Sequence, residues 1–176
     1  KFGLGSERAM NYSENGEKEI VRLNMLRQQQ FRSGSPYACL SDFIAPKNSE
    51  KRDFIGMFAV TAGINAEEIS RDFEESGDDY NAIMVGLLAD RLAEATAEFL
   101  HKKVRKEWGF PDPKEITIEE ILNEEYRGIR PAYGYPACPD HSEMRKTFEL
   151  LGAVNIGLDL TVSNSIFPAA SVSGLY

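Results

Sequence analysis

Residues 80–106, YNAIMVGLLADRLAEATAEFLHKKVRK, carry the strongest structural pattern in the chain. Apolar side chains recur there at helical spacing, and lysine and arginine gather at the end, where cations complement the helix dipole. The apolar positions are Ile83, Leu87, Leu88, Leu92, Ala95, Phe99 and Val104. The pattern predicts one helix, long for a globular protein, that crosses the whole domain. The following residues 108–111, WGFP, are expected to end it.

Strand-like segments lie on both sides of this helix in the sequence. Residues 19–26 alternate apolar and polar side chains, which predicts a strand with one apolar side. Residues 53–62 are apolar on both faces after Asp53, which is typical of a central strand covered on both sides. Gly56 within this run marks a point where another group comes close to the backbone. A third strand is predicted at residues 158–162.

Three shorter helices are predicted from pairs of residues that resemble a capping box. The pairs are Asn65 with Glu68, Thr117 with Glu120, and Asp140 with Glu143. Gly152 is expected to end the last of these helices. Because strands and helices do not alternate in a βαβ rhythm, the sequence predicts an α+β fold. We expect a single domain with a mixed or antiparallel sheet crossed by long helices.

The composition is that of a globular chain without nucleic-acid or membrane partners. Of its 176 residues 42% are hydrophobic, and its formal net charge is −8, whereas nucleic-acid binding needs a clustered basic patch. No stretch approaches the ~20 apolar residues that cross a bilayer. The opening residues 1–6, KFGLGS, lack a hydrophobic signal-peptide core, and two cysteines are too few for a disulfide framework. A cytoplasmic protein is predicted.

The segment 130–141, RPAYGYPACPDH, is the first candidate site. Its three prolines and its glycine exclude a helix or a central strand and predict a rigid, extended loop. Arg130 could hold a carboxylate with two hydrogen bonds, Tyr135 could cover an aromatic ring, and Gly134 would let a ligand come close. The alternative is a proline-braced connector whose arginine pairs with a nearby glutamate such as Glu124 or Glu125, and composition alone favours it.

Cys138 and His141 in this loop have the spacing of two zinc ligands, with Cys39 and His101 as conceivable partners. Zinc sites usually combine two such pairs, and only one pair is close in sequence here. We therefore expect no structural metal, and we interpret Cys138 as a buried thiol beside a histidine that opens a helix.

Glu94 lies in the middle of the long helix among Ala93, Ala95 and Ala97. Such small neighbours could let another group approach the carboxylate, although a solvated helix face explains the pattern as well. The chain has no G-x-S-x-G elbow, Walker loop or Rossmann glycine fingerprint, so no catalytic residue is assigned.

Residues 126–141, YRGIRPAYGYPACPDH, resemble the signature of the activation domain of cobalamin-dependent methionine synthases. The core motif of that family, R-x-x-x-G-Y-P, is met by Arg130, Gly134, Tyr135 and Pro136. Four more segments match in family order: SDFIAPK at 41–47, DDYN at 78–81, LADRLAEA at 88–95 and ASVSG at 170–174. The resemblance covers residues 26–176, whereas residues 1–25 match poorly, and the domain is expected to be incomplete at both ends.

The resemblance implies a domain that binds S-adenosylmethionine and docks on the cobalamin-binding domain of the same enzyme. Such an enzyme moves a methyl group from methyltetrahydrofolate to homocysteine through cobalamin. After oxidation to cob(II)alamin, one electron from flavodoxin or an equivalent reductase and a methyl group from S-adenosylmethionine restore methylcobalamin. The isolated piece is expected to be inactive. A free-standing module that senses S-adenosylmethionine without catalysis is the alternative.

The same resemblance implies which residues bind the ligand. They are Glu94, Glu124, Arg130, Ala132, Gly134, Tyr135 and His141. Arg130 would bind the methionyl carboxylate. Glu94 and Glu124 match acidic positions near the ligand and could hold its ammonium group or receive charge from the sulfonium side. His141 matches a family histidine in the same region, and the remaining three would line the ligand with backbone and ring.

Overall fold

The computed structural model describes residues 8–12, 19–30, 33–46, 49–51, 53–113 and 116–176. The opening residues 1–6, whose composition argues against a signal peptide, lie outside these ranges. The helices are α1 (Ala66–Glu75), α2 (Asp79–Glu107), α3 (Ile118–Leu122) and α4 (Met144–Leu151). The strands are β1 (Arg8–Tyr12), β2 (Glu19–Asn24), β3 (Met57–Thr61), β4 (Asp159–Leu160), β5 (Ile166–Phe167) and β6 (Ser171–Leu175).

The strands pair two by two, and every pair in the described ranges is antiparallel. β1 pairs with β2, β3 with β6, and β4 with β5. The predicted α+β class with an antiparallel sheet is therefore confirmed. The strand predicted at 158–162 is shorter than expected, because β4 ends at Leu160 and Val162 is fully exposed in the turn that follows.

Strand β3 is covered on both faces, as its sequence predicts. Phe58 is buried against Ala97 of α2, whereas Met57 and Ala59 are half-buried against a second, larger cluster that contains Leu23 of β2. The prediction of a central strand is wrong, since within the described ranges β3 pairs with β6 alone. Helix packing on one side and the larger core on the other replace the neighbouring strands that its apolar sequence suggested.

Helix α2 begins and ends within one residue of the predicted bounds. The Asp78 side chain caps it by accepting a hydrogen bond from the Asn81 backbone N–H at 3.1 Å, and Trp108 follows its last turn. No helix in the described ranges is both long and apolar enough to span a membrane.

The face of α2 that packs on the sheet consists mainly of small residues. Its buried residues are Ala82, Ala89, Ala93, Ala97, His101 and Arg105. Alanines allow the helix to lie close to β3 and β6. The larger apolar side chains that predict the helix point away from this contact, and Leu88, Leu92 and Phe99 are 56%, 60% and 71% exposed.

The capping predictions have different outcomes at the helices that flank α2. At α3 the capping box is complete: Thr117 Oγ1 accepts from the Glu120 N–H at 3.2 Å, and the Glu120 carboxylate accepts from the Thr117 N–H at 2.7 Å. At α1 the prediction is wrong, because Asn65 adopts a left-handed conformation with φ 62° and its side chain caps nothing.

Asp140 and Glu143 do not act as a pair at the start of α4. Asp140 caps the short 3-10 turn His141–Glu143 by accepting from the Ser142 N–H at 2.9 Å. Glu143 is buried and instead accepts from the Asn24 N–H at 2.8 Å, which ties β2 to α4. Gly152 ends α4 as predicted, and it adopts a left-handed conformation with φ 61°.

Candidate functional site

The segment 130–141 forms an extended loop that runs beside strand β6. The Pro131 carbonyl accepts a hydrogen bond from the Leu175 N–H at 2.9 Å. Gly174 permits this approach, since a Cβ at that position would lie 2.6 Å from the Pro131 oxygen. The start of the loop is therefore fixed against the β3–β6 sheet.

Further along, the loop closes a tight turn around Gly134. The Gly134 N–H donates to the Cys138 carbonyl at 2.9 Å, and Gly134 has φ +93°, a conformation that disfavours any side chain. A Cβ at Gly134 would overlap the His141 imidazole, so this ring lies directly against the glycine backbone. His141 thus braces the turn, and Tyr135 at its tip is 66% exposed.

Arg130, at the head of the loop, turns its guanidinium towards helix α2. Its Nη2 donates to Glu98 Oε2 at 2.5 Å, and the two side chains are 15% and 23% exposed. The sequence does not identify Glu98, and it predicts Glu124 or Glu125 as the partner if the loop is only a connector. The one available signal was that Glu98 lies four residues after Glu94 and therefore on the same face of the helix.

Behind Arg130 lies a group of side chains that we call the inner cluster: Glu98, His101, Arg105, Tyr126 and Tyr176. The His101 ring stacks on Tyr176 with centroids 5.0 Å apart and meets Tyr126 edge-on at 5.2 Å. The Arg105 guanidinium lies 3.7 Å from the centre of the Tyr126 ring.

The inner cluster keeps its charges balanced although it is largely buried. Arg105 makes two hydrogen bonds of 2.7 Å to Asp112, and these bonds hold the pKa of Asp112 below its usual range. Burial, and after it the positive charges of Arg105 and Arg130, lower the pKa of His101 to about 4, so the ring is neutral at physiological pH. Burial raises the pKa of Tyr176 to about 12. The guanidinium groups of Arg105 and Arg130 therefore pair with the carboxylates of Asp112 and Glu98. The His101 ring and the Tyr176 phenol in the same cluster are neutral.

Buried side-chain nitrogen and oxygen atoms without a hydrogen-bond partner are concentrated around Arg130. Within the described ranges they are Glu98 Oε1, His101 Nδ1, Arg105 Nη1, Arg130 Nε and Tyr176 Oη. All five belong to Arg130 or to the inner cluster. Unsatisfied buried groups are costly, and native proteins keep them mainly where ordered water or function accounts for them. Arg130 and the inner cluster are therefore the best candidate site in the described part of the chain.

The other predicted site residues make no hydrogen bond to the Arg130 side chain in the described ranges. Glu94 is exposed one turn before Glu98 and lines a cleft of about 300 Å³ between α2 and the start of β6. Glu124 is exposed just after α3, with φ +58°, and its charge contributes to raising the pKa of Tyr126, after burial and Glu98. Ala132 is half-buried within the loop.

The possible metal ligands are not grouped together in the described ranges. No set of three or more histidine, cysteine or acidic side chains is placed there to hold a metal ion. Cys39 and Cys138 are buried free thiols, and burial raises the pKa of Cys138 to about 12. The Cys138 sulfur has the Met25 sulfur 4.0 Å away, while His141 is exposed. The absence of a structural metal stays a prediction.

Comparison with known proteins places these features in a family. The family model described as vitamin B12 dependent methionine synthase, activation domain, matches residues 5–176. A crystal structure of the MetH reactivation domain bound to AdoHcy superposes with a TM-score of 0.89 at 47% sequence identity. The match covers 97% of this chain and 53% of that one, so this chain spans about half the length of the solved structure.

Proposed function

This chain belongs to the vitamin B12 dependent methionine synthase activation-domain family, and on that basis we propose that it binds S-adenosylmethionine to support remethylation of cobalamin. The observation that carries the proposal is the 47% identity, over 97% of this chain, to a reactivation domain solved with AdoHcy. AdoHcy, S-adenosylhomocysteine, is what S-adenosylmethionine becomes when it gives up its methyl group. S-adenosylmethionine therefore presents to a site every group that AdoHcy presents, together with the additional methyl group.

The residues around Arg130 fit such a ligand. The guanidinium carries several N–H donors in one plane, of which Nη2 is engaged by Glu98, and this leaves donors for a carboxylate. The exposed Tyr135 ring offers a surface for an aromatic base. The open face of Gly134 is filled by the His141 ring, so Gly134 can contribute only backbone groups to the ligand. Glu94 supplies negative charge on the neighbouring helix turn, where it can attract the ammonium group.

The remaining predicted residues support this arrangement. Ala132 lines the ligand beside Arg130. His141 keeps the turn around Gly134 in shape, and Glu124 adds negative charge at the end of α3. When bound, S-adenosylmethionine supplies a methyl group activated by the sulfonium; the residues of this chain hold and orient the ligand.

We place this activity inside a larger enzyme, a cytoplasmic methyltransferase that makes methionine from homocysteine and methyltetrahydrofolate. The cobalamin is held by another domain of that enzyme, and flavodoxin or an equivalent reductase provides the electron. On this proposal the 176-residue chain alone binds the ligand and turns over no substrate.

Two measurements test the proposal. Calorimetric titration of the chain with S-adenosylmethionine should show saturable binding at one site. The full-length protein, with its cobalamin as cob(II)alamin and a one-electron donor present, should transfer isotope from methyl-labelled S-adenosylmethionine to the cobalamin. Binding without label transfer would instead indicate a sensing module, and no binding would refute the proposal.

A further inference from the structure

Glu98 is the carboxylate that the described structure places against the Arg130 guanidinium, with the Tyr126 hydroxyl also close to that group. The Nη2–Oε2 distance is 2.5 Å, and both side chains are mostly buried between α2 and the loop. Each partner also keeps one buried atom without a hydrogen bond, Nε on Arg130 and Oε1 on Glu98. The two groups are therefore joined by a single hydrogen bond and not by the two parallel hydrogen bonds that an arginine and a carboxylate often form.

This geometry restricts how Arg130 can turn. An arginine side chain has several rotatable bonds, and holding it in place costs entropy when a ligand has to do so. A bond from one guanidinium nitrogen to a carboxylate on a rigid helix sets the plane of the group before any ligand arrives. Pro131 next to it and the bond from Leu175 to Pro131 fix the backbone on the other side.

The surroundings of Glu98 make this contact more than a surface ion pair. His101, one turn along α2, is neutral at physiological pH, so it does not compete for the carboxylate as a cation would. Arg105 makes its side-chain hydrogen bonds to Asp112, and Glu98 acts on it through charge alone. Within the described ranges, the side-chain hydrogen bond that Glu98 accepts comes from Arg130.

We propose that Glu98 is a positioning residue that aligns the Arg130 guanidinium for the carboxylate of the ligand. This inference rests on the proposed binding of S-adenosylmethionine. It assigns Glu98 no contact with the ligand, and it accounts for an acidic residue beside an arginine that has to bind an anion. Without Glu98, Arg130 would keep its charge and lose its orientation.

The test uses two ligands and three variants of the full chain. AdoHcy carries the amino-acid carboxylate, whereas 5′-methylthioadenosine has the same adenosine and thioether without it. In Glu98→Ala the affinity for AdoHcy should fall by about tenfold or more, the lower end for a hydrogen bond to a charged group. The affinity for 5′-methylthioadenosine should stay within about twofold, because alignment of Arg130 matters only to the carboxylate.

The two other variants are an intermediate substitution of Glu98 and a control elsewhere on the helix. Glu98→Gln keeps an oxygen that can accept from Nη2 and should lie between wild type and Glu98→Ala. Glu107→Gln removes an exposed acid of the same helix, 3.8 Å from Lys103, and should bind both ligands like wild type.

Each result decides between the possible roles. An equal loss of affinity for both ligands in Glu98→Ala would show that the residue serves the fold. Unchanged AdoHcy affinity would show that Arg130 needs no positioning. Either result overturns the inference. If wild type binds neither ligand, the proposed function itself is wrong and the inference falls with it. Selective loss of AdoHcy binding supports both.

Discussion

Arg130 has Glu98 on its inner side and remains partly open to solvent on the other. We expect Arg130→Lys to weaken S-adenosylmethionine binding by about 1–3 kcal/mol, because lysine keeps the charge but cannot present two parallel N–H groups. Stability should change little, since an ammonium can still pair with Glu98. Calorimetric titration and thermal melting measure the two effects, and Arg127→Lys, at an exposed arginine over the Phe110 ring, is the control. A variant that melts far below wild type while its folded fraction binds normally would make Arg130 structural.

Gly134 allows a second experiment at single-residue resolution. Gly134→Ala should lower the free energy of unfolding by ~1–3 kcal/mol, since the new Cβ meets both a strained φ and the His141 ring. Gly77→Ala is a matched control, because Gly77 has φ +80° and nothing within 4 Å of the added Cβ. The difference between the two urea midpoints isolates the contact with His141. Equal losses would mean that His141 does not brace the turn.

The sequence identifies the loop around Arg130 but not the residue behind it. Proline and glycine affect the backbone conformation locally and do not depend on distant contacts, so a rigid loop at 130–141 is predictable from the sequence. Glu94 and Glu98 are the same residue type on the same helix face, and local pattern cannot tell which one an arginine 32 residues later will reach. That choice depends on how the loop docks on the sheet.

At the scale of the elements, helix α2 shows which part of a pattern is informative. Its length and ends follow from periodicity, capping and the WGFP stop, and they agree with the structure. The face that is buried cannot be predicted from this pattern. The large apolar residues suggest one face of the helix, whereas the sheet packs on another face. Packing distance decides this, since β3 and β6 approach the helix closely and the face that meets them consists mainly of alanines.

This close contact can be tested by adding volume to each face of α2. Ala97 is fully buried next to Phe58, so Ala97→Leu should destabilise the protein by ~1–3 kcal/mol through overpacking. Ala95 is exposed on the same helix, and Ala95→Leu should change stability by less than about 0.5 kcal/mol. Denaturant unfolding of both variants gives the comparison. A tolerated leucine at Ala97 would mean that the helix can move away from the sheet.

For the whole molecule, the buried charges predict how stability depends on pH. The pKa of His101 is lowered to about 4 in the folded state, so only the unfolded chain takes up this proton between pH 6.5 and 4. Stability should therefore fall as the pH falls through that window, by roughly 2–3 kcal/mol. Below about pH 4, Asp112 adds a further loss, because its lowered pKa stabilises the fold only while the unfolded carboxylate is ionised.

His101→Phe separates the two contributions. Phenylalanine can fill the place between Tyr126 and Tyr176 and takes up no proton. Urea unfolding at a series of pH values should give a flatter curve between pH 6.5 and 4 in this variant, with the decline below pH 4 retained. An unchanged slope in the upper window would show that another group is responsible.

The hydrogen bond from the Leu175 amide to the Pro131 carbonyl makes one amide proton a reporter of the loop. That proton can exchange with deuterium only when the loop has lifted from the strand, whether or not the sheet itself has opened. A ligand that engages Arg130 ought to lengthen its lifetime, while amides of α1, remote from the loop, keep theirs. Mass-resolved deuterium uptake at the last residues of the chain would then record how often the binding loop detaches and how far a ligand holds it down. Faster or unaltered uptake with ligand bound would show that the loop and strand β6 move independently.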